Sequence, residues 1–185
     1  MTKLQKALYY AAQMISYISI YIWGAQGEKV NVLTAKAICK METSADNAAR
    51  VIRFIYKNLA KMSGKARAFD CSGFVICCLV YAGVLPAGYD NTANGLMHEK
   101  RFKSVDISQK QAGDLLFKLQ DTKAVHVGIW TGEKVAEAAR EGAREGSKEN
   151  RGGRGGAGLF DMVRTLILLL VIAAVGWMIY RFHRS

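Results

Sequence analysis

Apolar residues near the start of the chain recur at helical spacing and then change period. Leu4, Leu8, Ala11, Ala12 and Ile15 share one helix face, while Ile18, Ile20 and Ile22 alternate, so residues 4–22 read as a helix running into an extended piece. Val51, Phe54, Ile55, Leu59 and Met62 restore the helical period from roughly Ala48 to Met62. Ser44 or Asp46 is placed to cap this helix, and Gly64 to end it. A third helix opens at Cys71 and continues through the wholly apolar run Phe74–Tyr81. It ends near Gly83 and turns through Pro86-Ala87-Gly88. Residues 90–103 read as loop and short helix. After a turn at Gln111-Ala112-Gly113-Asp114 the pattern shortens to strands over Leu115–Phe117, Ala124–Trp130 and Val135–Ala139. Thr131-Gly132-Glu133-Lys134 joins the last two as a hairpin turn. Helices first, then a meander of short antiparallel strands, is an α+β layout.

The pattern then breaks twice. Residues 140–158 are dominated by Arg, Glu, Gly and Ser and end in Arg151-Gly152-Gly153-Arg154-Gly155-Gly156-Ala157-Gly158, the composition of a flexible linker. Its two Arg-Gly-Gly units are weak grounds for an RNA contact. Thr165 to Tyr180 carries no charge. Arg164 and Arg181 can snorkel to extend this run, and Trp177 and Tyr180 suit an interface, so it reads as a membrane span. A buried core helix is the alternative. The expected organisation is a domain over 1–140 with a helical insertion at about 25–69, a Gly/Arg-rich linker over 141–158, a transmembrane helix over 159–181 and a tail over 182–185. Arg144, Lys148, Arg151, Arg154 and Arg164 precede the span, and only Arg181 and Arg184 follow it. The positive-inside rule then places the large domain on the cytoplasmic side.

Composition narrows the class. A hydrophobic content of 51% with a single proline supports a packed core and excludes a disordered chain. The net charge of +11 suggests an anionic partner: wall polymer, lipid head groups or nucleic acid. Arg50, Arg53, Lys57 and Lys61 concentrate that charge as a stripe on one helix. A solvated helix face is its plain reading, and a grip on an anionic polymer or membrane its functional one. Cys39, Cys71, Cys77 and Cys78 are too few and too clustered for a disulfide framework, which favours a reducing compartment. Lys3 and Lys6 give the first helix the look of a signal peptide. Gln13, Ser16 and Ser19 interrupt its apolar run, so a buried soluble helix is expected instead.

The chemistry centres on Cys71. A thiol at a helix N-terminus faces unpaired N–H groups and the positive end of the helix dipole, and both favour the thiolate. Of three histidines, His183 lies in the tail and His98 in a surface loop, while His126 sits inside an apolar strand. Cys71 with His126 makes a dyad that can act as nucleophile and then as general acid. If Thr131 faces Lys134 across the hairpin, Trp130 faces Val135 and Gly128 faces Glu137. Glu137 then shares a face with His126, within side-chain reach along the diagonal, and Gly128 leaves room for its carboxylate.

Asp70-Cys71-Ser72-Gly73-Phe74-Val75, Ala112-Gly113-Asp114-Leu115-Leu116-Phe117, His126-Val127-Gly128-Ile129-Trp130 and, upstream, Tyr21-Ile22-Trp23-Gly24 resemble the motifs of the NlpC/P60 cysteine peptidases, in the family's order. The resemblance covers roughly residues 5–140. It implies a papain-like α+β fold and hydrolysis of peptidoglycan stem peptides, typically between γ-D-glutamate and a diamino acid. By the same resemblance Cys71 is the nucleophile and His126 the base. Tyr21, Asp70 and Ser72 match positions lining the substrate side. The chain departs from the family in Trp23-Gly24-Ala25, in the long gap before Asp70, and in Glu137 where histidine is common. The expected mechanism needs no metal or cofactor, and the cysteines show no zinc spacing. Peptidoglycan is the expected partner, and nucleic acid is not. A wall hydrolase facing the cytoplasm suggests a phage enzyme anchored in the host inner membrane or in the internal membrane of a virion. A cellular wall-remodelling enzyme, an acyltransferase, or a membrane-anchored binding module without turnover are the other readings.

Overall fold

A computed structural model describes residues 1–17, 19–58, 60, 64–138 and 177–182. Helix α1 (Lys3–Ser16) starts in a reciprocal capping box. The Thr2 side chain accepts from Gln5 N, and the Gln5 side chain accepts from Thr2 N. Its buried stripe is Ala7, Ala11 and Met14, and Leu4, Leu8 and Ile15 pack at the edge of the same core. The small residues let α1 lie close along α4 (Cys71–Tyr81), and Tyr10 stacks on Tyr81 with ring centroids 4.7 Å apart. The segment that resembled a signal peptide is therefore part of the main core.

Helix α4 is apolar all round, and such a helix is stable only when covered on every side. Here α1, strand β2 (Gln26–Lys29) and strand β6 (Lys123–Trp130) cover it. It ends as the sequence predicts. Gly83 takes φ +70°, its N–H bonds the Val80 carbonyl, and the Val84 N–H bonds the Leu79 carbonyl, which together make a Schellman stop.

Two sheets flank this helix. The larger runs in the order β4 (Phe102–Val105), β8 (Trp177–Phe182), β5 (Leu115–Gln120), β6, β7 (Val135–Ala136), with antiparallel pairing throughout. The expected meander is present as β5–β6–β7. Strand β7 stops two residues in, short of the expected Val135–Ala139. The region read as loop and short helix over 90–103 supplies α5 (Ala93–Met97) and the start of β4.

The smaller sheet corrects the expected helical insertion. Between about 25 and 69 lie α2 (Ala35–Met41) and α3 (Ala45–Asn58), and also β2 and β3 (Arg67–Phe69). Strand β3 pairs in parallel with β1 (Ser19–Tyr21) and antiparallel with β2. The insertion is thus rooted in a sheet, and Ile22, Val30, Ile38, Val51, Ile55 and Ala68 give it a core of its own. Helix α3 has the predicted buried face and the predicted Ser44 cap, which accepts from Asn47 N at 3.2 Å. Phe54, expected inside, is exposed beside Arg53 and Lys57. Leu59, Lys61 and Met62 lie outside the described residues.

A second correction concerns the transmembrane helix expected over 159–181. Its last residues form strand β8, with Phe102 paired to Phe182 on one side and Leu115 to Tyr180 on the other. A short apolar run fits a buried strand as well as a helix. Here β8 satisfies the facing backbone edges of β4 and β5. Residues 159–176, like the linker over 141–158, lie outside the described residues, and so does the tail after Phe182. No helix among the described residues is long and apolar enough to cross a membrane.

Candidate active site

Cys71 is the first residue of α4 and is 7% exposed. Asp70 caps the helix. Its Oδ1 accepts from Gly73 N at 2.6 Å and from the Ser72 hydroxyl at 3.0 Å. Its Oδ2 accepts from Gly24 N at 2.8 Å. Both carboxylate oxygens are thus engaged in holding the start of α4 against the Trp23-Gly24 turn. Asp70 and Ser72, which the resemblance places on the substrate side, form one hydrogen-bonded unit around Cys71. Tyr21 ends β1, in register with Phe69, two residues before Cys71.

Packing of α4 on β6 brings His126 beside Cys71, close enough for the sulfur to raise the imidazole pKa. On its other side His126 Nε2 meets Glu137 Oε2 at 2.6 Å. A carboxylate only accepts, so Nε2–H donates to it and Nδ1 is left to face the sulfur. The register predicted across the hairpin is observed: Trp130 pairs with Val135 and Ile129 with Ala136, and Thr131 N donates to the Lys134 carbonyl at 2.8 Å. Glu137 follows β7 directly. Gly128 is what lets it approach, because a Cβ there meets Val135 Cγ1 at 2.5 Å and Glu137 Cβ at 3.2 Å.

Burial alone pulls the His126 pKa down. The hydrogen bond with Cys71, that with Glu137 and the negative charge of both partners reverse this and raise it to about 9. The imidazole is therefore held protonated at neutral pH between a carboxylate and the sulfur. Burial has the opposite consequence for the neighbouring thiols. Cys77 is pushed up to about 11, helped by the charges of Glu28 and Asp70, and Cys78 well above its ordinary value. Both stay neutral thiols, and all four cysteines are free. His98 is exposed at the end of α5, and His183 lies outside the described residues.

These pairings give a titration with a fixed direction. By ring-proton NMR, His126 is expected to titrate near 9 in the parent chain. Cys71→Ala and Glu137→Gln should each lower the midpoint, because both partners hold the proton on the ring. The folded value lies above the unfolded value of 6.5, so the native state holds this proton more tightly. The resulting stabilisation is complete below pH 6.5 and fades as pH rises through about 9. Urea midpoints of Glu137→Gln should therefore decline less across that window than those of the parent.

Comparison with known proteins bears on this arrangement. Residues 60–148 match the model of the NlpC/P60 family. Members of that family are typically cysteine peptidases, and their activity is directed at peptidoglycan. The matched segment contains Cys71, His126 and Glu137, and begins downstream of Tyr21 and Trp23. The resemblance read from the motifs is thus shown for this segment. No curated protein matches the chain. Among the described residues no group of His, Cys, Asp or Glu is arranged to hold a metal ion.

Two residues of the site were not singled out in the sequence. Gly73 packs its α-carbon against the Ala25 carbonyl, and Glu42 accepts from Trp23 N at 3.1 Å. Gly73 carried a usable signal, since a glycine inside the first turn of an otherwise apolar helix marks a close approach. Glu42 carried none, because its partner is 19 residues away in sequence.

Proposed function

We propose that the protein is a thiol endopeptidase that hydrolyses stem-peptide amide bonds of peptidoglycan, at the bond between γ-D-glutamate and a diamino acid. The observation that carries this reading is the line Cys71–His126–Glu137, with His126 bonded to Glu137 and raised in pKa by Cys71 inside the matched segment. Cys71 Sγ attacks the amide carbon as thiolate, forming a tetrahedral oxyanion. The N–H groups at the start of α4 are oriented to stabilise that charge. His126 Nδ1–H protonates the leaving amine, and the C–N bond breaks to give a thioester. The neutral imidazole then takes a proton from water, hydroxide adds to the thioester, and the thiolate leaves. Glu137 keeps Nε2 protonated throughout, so that Nδ1 is the nitrogen that exchanges the proton. Tyr21, with Asp70 and Ser72, borders the acyl side of this reaction.

The test is digestion of purified peptidoglycan by the full chain, with products identified by mass spectrometry. Fragments ending in γ-D-glutamate, with matching free amino termini on the diamino acid, are expected. An intact stem peptide after prolonged incubation overturns the proposal.

A further inference from the structure

The Trp23-Gly24 turn touches the catalytic helix through a hydrogen bond, and its own two residues are little packed although Ile22 and Ala25 on either side are buried. The Trp23 side chain is 47% exposed, and nothing lies within 4 Å of a Cβ built on Gly24, whose φ is +73°. Two side chains fix its backbone. Asp70 Oδ2 accepts from Gly24 N, and Glu42 Oε1 accepts from Trp23 N. Glu42 is the C-terminal cap residue of α2 and belongs to the insertion. It is 8% exposed, and its Oε2 is buried without a hydrogen-bond partner among the described residues. A buried carboxylate with one idle oxygen is costly, and here the other oxygen is spent on the turn that clasps the Cys71 cap.

We infer that Glu42 is a positioning residue through which the insertion sets the nucleophile. The path is continuous: Glu42 to Trp23 N, Gly24 N to Asp70, then Asp70 to Ser72 and Gly73 in the first turn of α4. Without Glu42 the Trp23 N–H loses its acceptor, and the turn shifts against its remaining bonds, from Ala25 N to the Ile22 carbonyl and from Gly24 N to Asp70. Asp70 follows its Gly24 partner, and the Cys71 sulfur moves off the line to His126. This rests on the reading of Cys71 and His126 as the reacting pair. It adds to that pair a residue from outside the family-matched segment.

Three variants of the full chain test it: Glu42→Ala, Glu42→Gln and Glu42→Asp. Glutamine keeps the carbonyl acceptor at the same reach, while aspartate is one methylene short. Glu42→Ala and Glu42→Asp are expected to lower kcat on peptidoglycan about tenfold with KM within about twofold, since a small misplacement of the attacking atom costs turnover rather than binding. Glu42→Gln should recover the parent kcat. The second readout is the pH profile of iodoacetamide alkylation at Cys71, followed on the Cys71 peptide by mass spectrometry. Across that profile alkylation should slow in the alanine and aspartate variants and match the parent in the glutamine variant.

Parent-like kcat and alkylation in Glu42→Asp overturn the inference. So does a glutamine variant as impaired as the alanine one. If Glu42→Ala fails to fold, the aspartate–glutamine pair still decides. Alkylation needs no peptidoglycan, so a parent chain that cuts no stem peptide sinks the proposed function while the alkylation profile still reports on Glu42.

Discussion

Replacing Cys71 with alanine is expected to lower the release of new amino termini from peptidoglycan by about 10⁴-fold or more, because residues acting as one unit lose nearly everything when one is removed. His126→Ala should lose a comparable factor, and the double variant should be no worse than either single one. The reasoning starts from the hydrogen bonds. His126 is bonded to Glu137, lies beside Cys71 and is protonated up to about pH 9, so an acid stands ready next to the sulfur. Without the sulfur there is no acyl-enzyme. Without the ring the leaving amine has no acid. Rates from a chromogenic amine assay on purified peptidoglycan check this, with thermal melts to show that each variant is folded. Cleavage at the parent rate by Cys71→Ala sinks the assignment of the nucleophile.

Gly73→Ala is expected to be the most disruptive one-atom change near the site. The added Cβ falls 2.0 Å from the Ala25 carbonyl oxygen and 3.0 Å from its carbon, both backbone atoms. That carbonyl cannot retreat freely, because it also accepts from Asp70 N at 2.9 Å. Either the first turn of α4 lifts away or the Ala25 backbone moves, and both displace Cys71. Overpacking of this kind costs about 3 kcal/mol. For a chain of this size that is a fall in Tm of roughly 6–12 °C. Gly64→Ala is the matched control: nothing lies within 4 Å of its Cβ, and a shift within about 0.5 kcal/mol is expected there. Differential scanning fluorimetry of the two variants, with activity measured well below either Tm, separates lost stability from lost geometry. A Gly73→Ala protein as stable and active as the parent contradicts the close approach.

The sequence made the proposed trio legible because each member lies in a locally patterned element. Cys71 opens an apolar helix, His126 interrupts an apolar strand, and a four-residue hairpin turn fixes which side Glu137 takes. Local periodicity could not reveal pairings between distant short segments. Strands β1 and β3 have three residues each, too few for a period, and their parallel alignment spans the whole insertion. The same limit explains the misreading of Trp177–Phe182, where an apolar run is ambiguous until the partner strands are known. Asp70 was legible as a motif residue, but its second bond, to Gly24 across 46 positions, was not.

That long-range clasp bears on where the cooperative folding unit begins. The family match starts at residue 60, yet β3 at Arg67–Phe69 is the middle strand of its sheet, with β1 and β2 on either side. Cut at residue 60, the chain exposes both edges of β3, strips α1 and β2 from α4, and leaves Asp70 without Gly24. The ends of a loop more than forty residues long must meet before the nucleophile has its cap, which makes this corner of the molecule slow to assemble on grounds of contact order. An excised fragment defined by the family match alone would hold Cys71, His126 and Glu137 and lack the scaffold that aligns them.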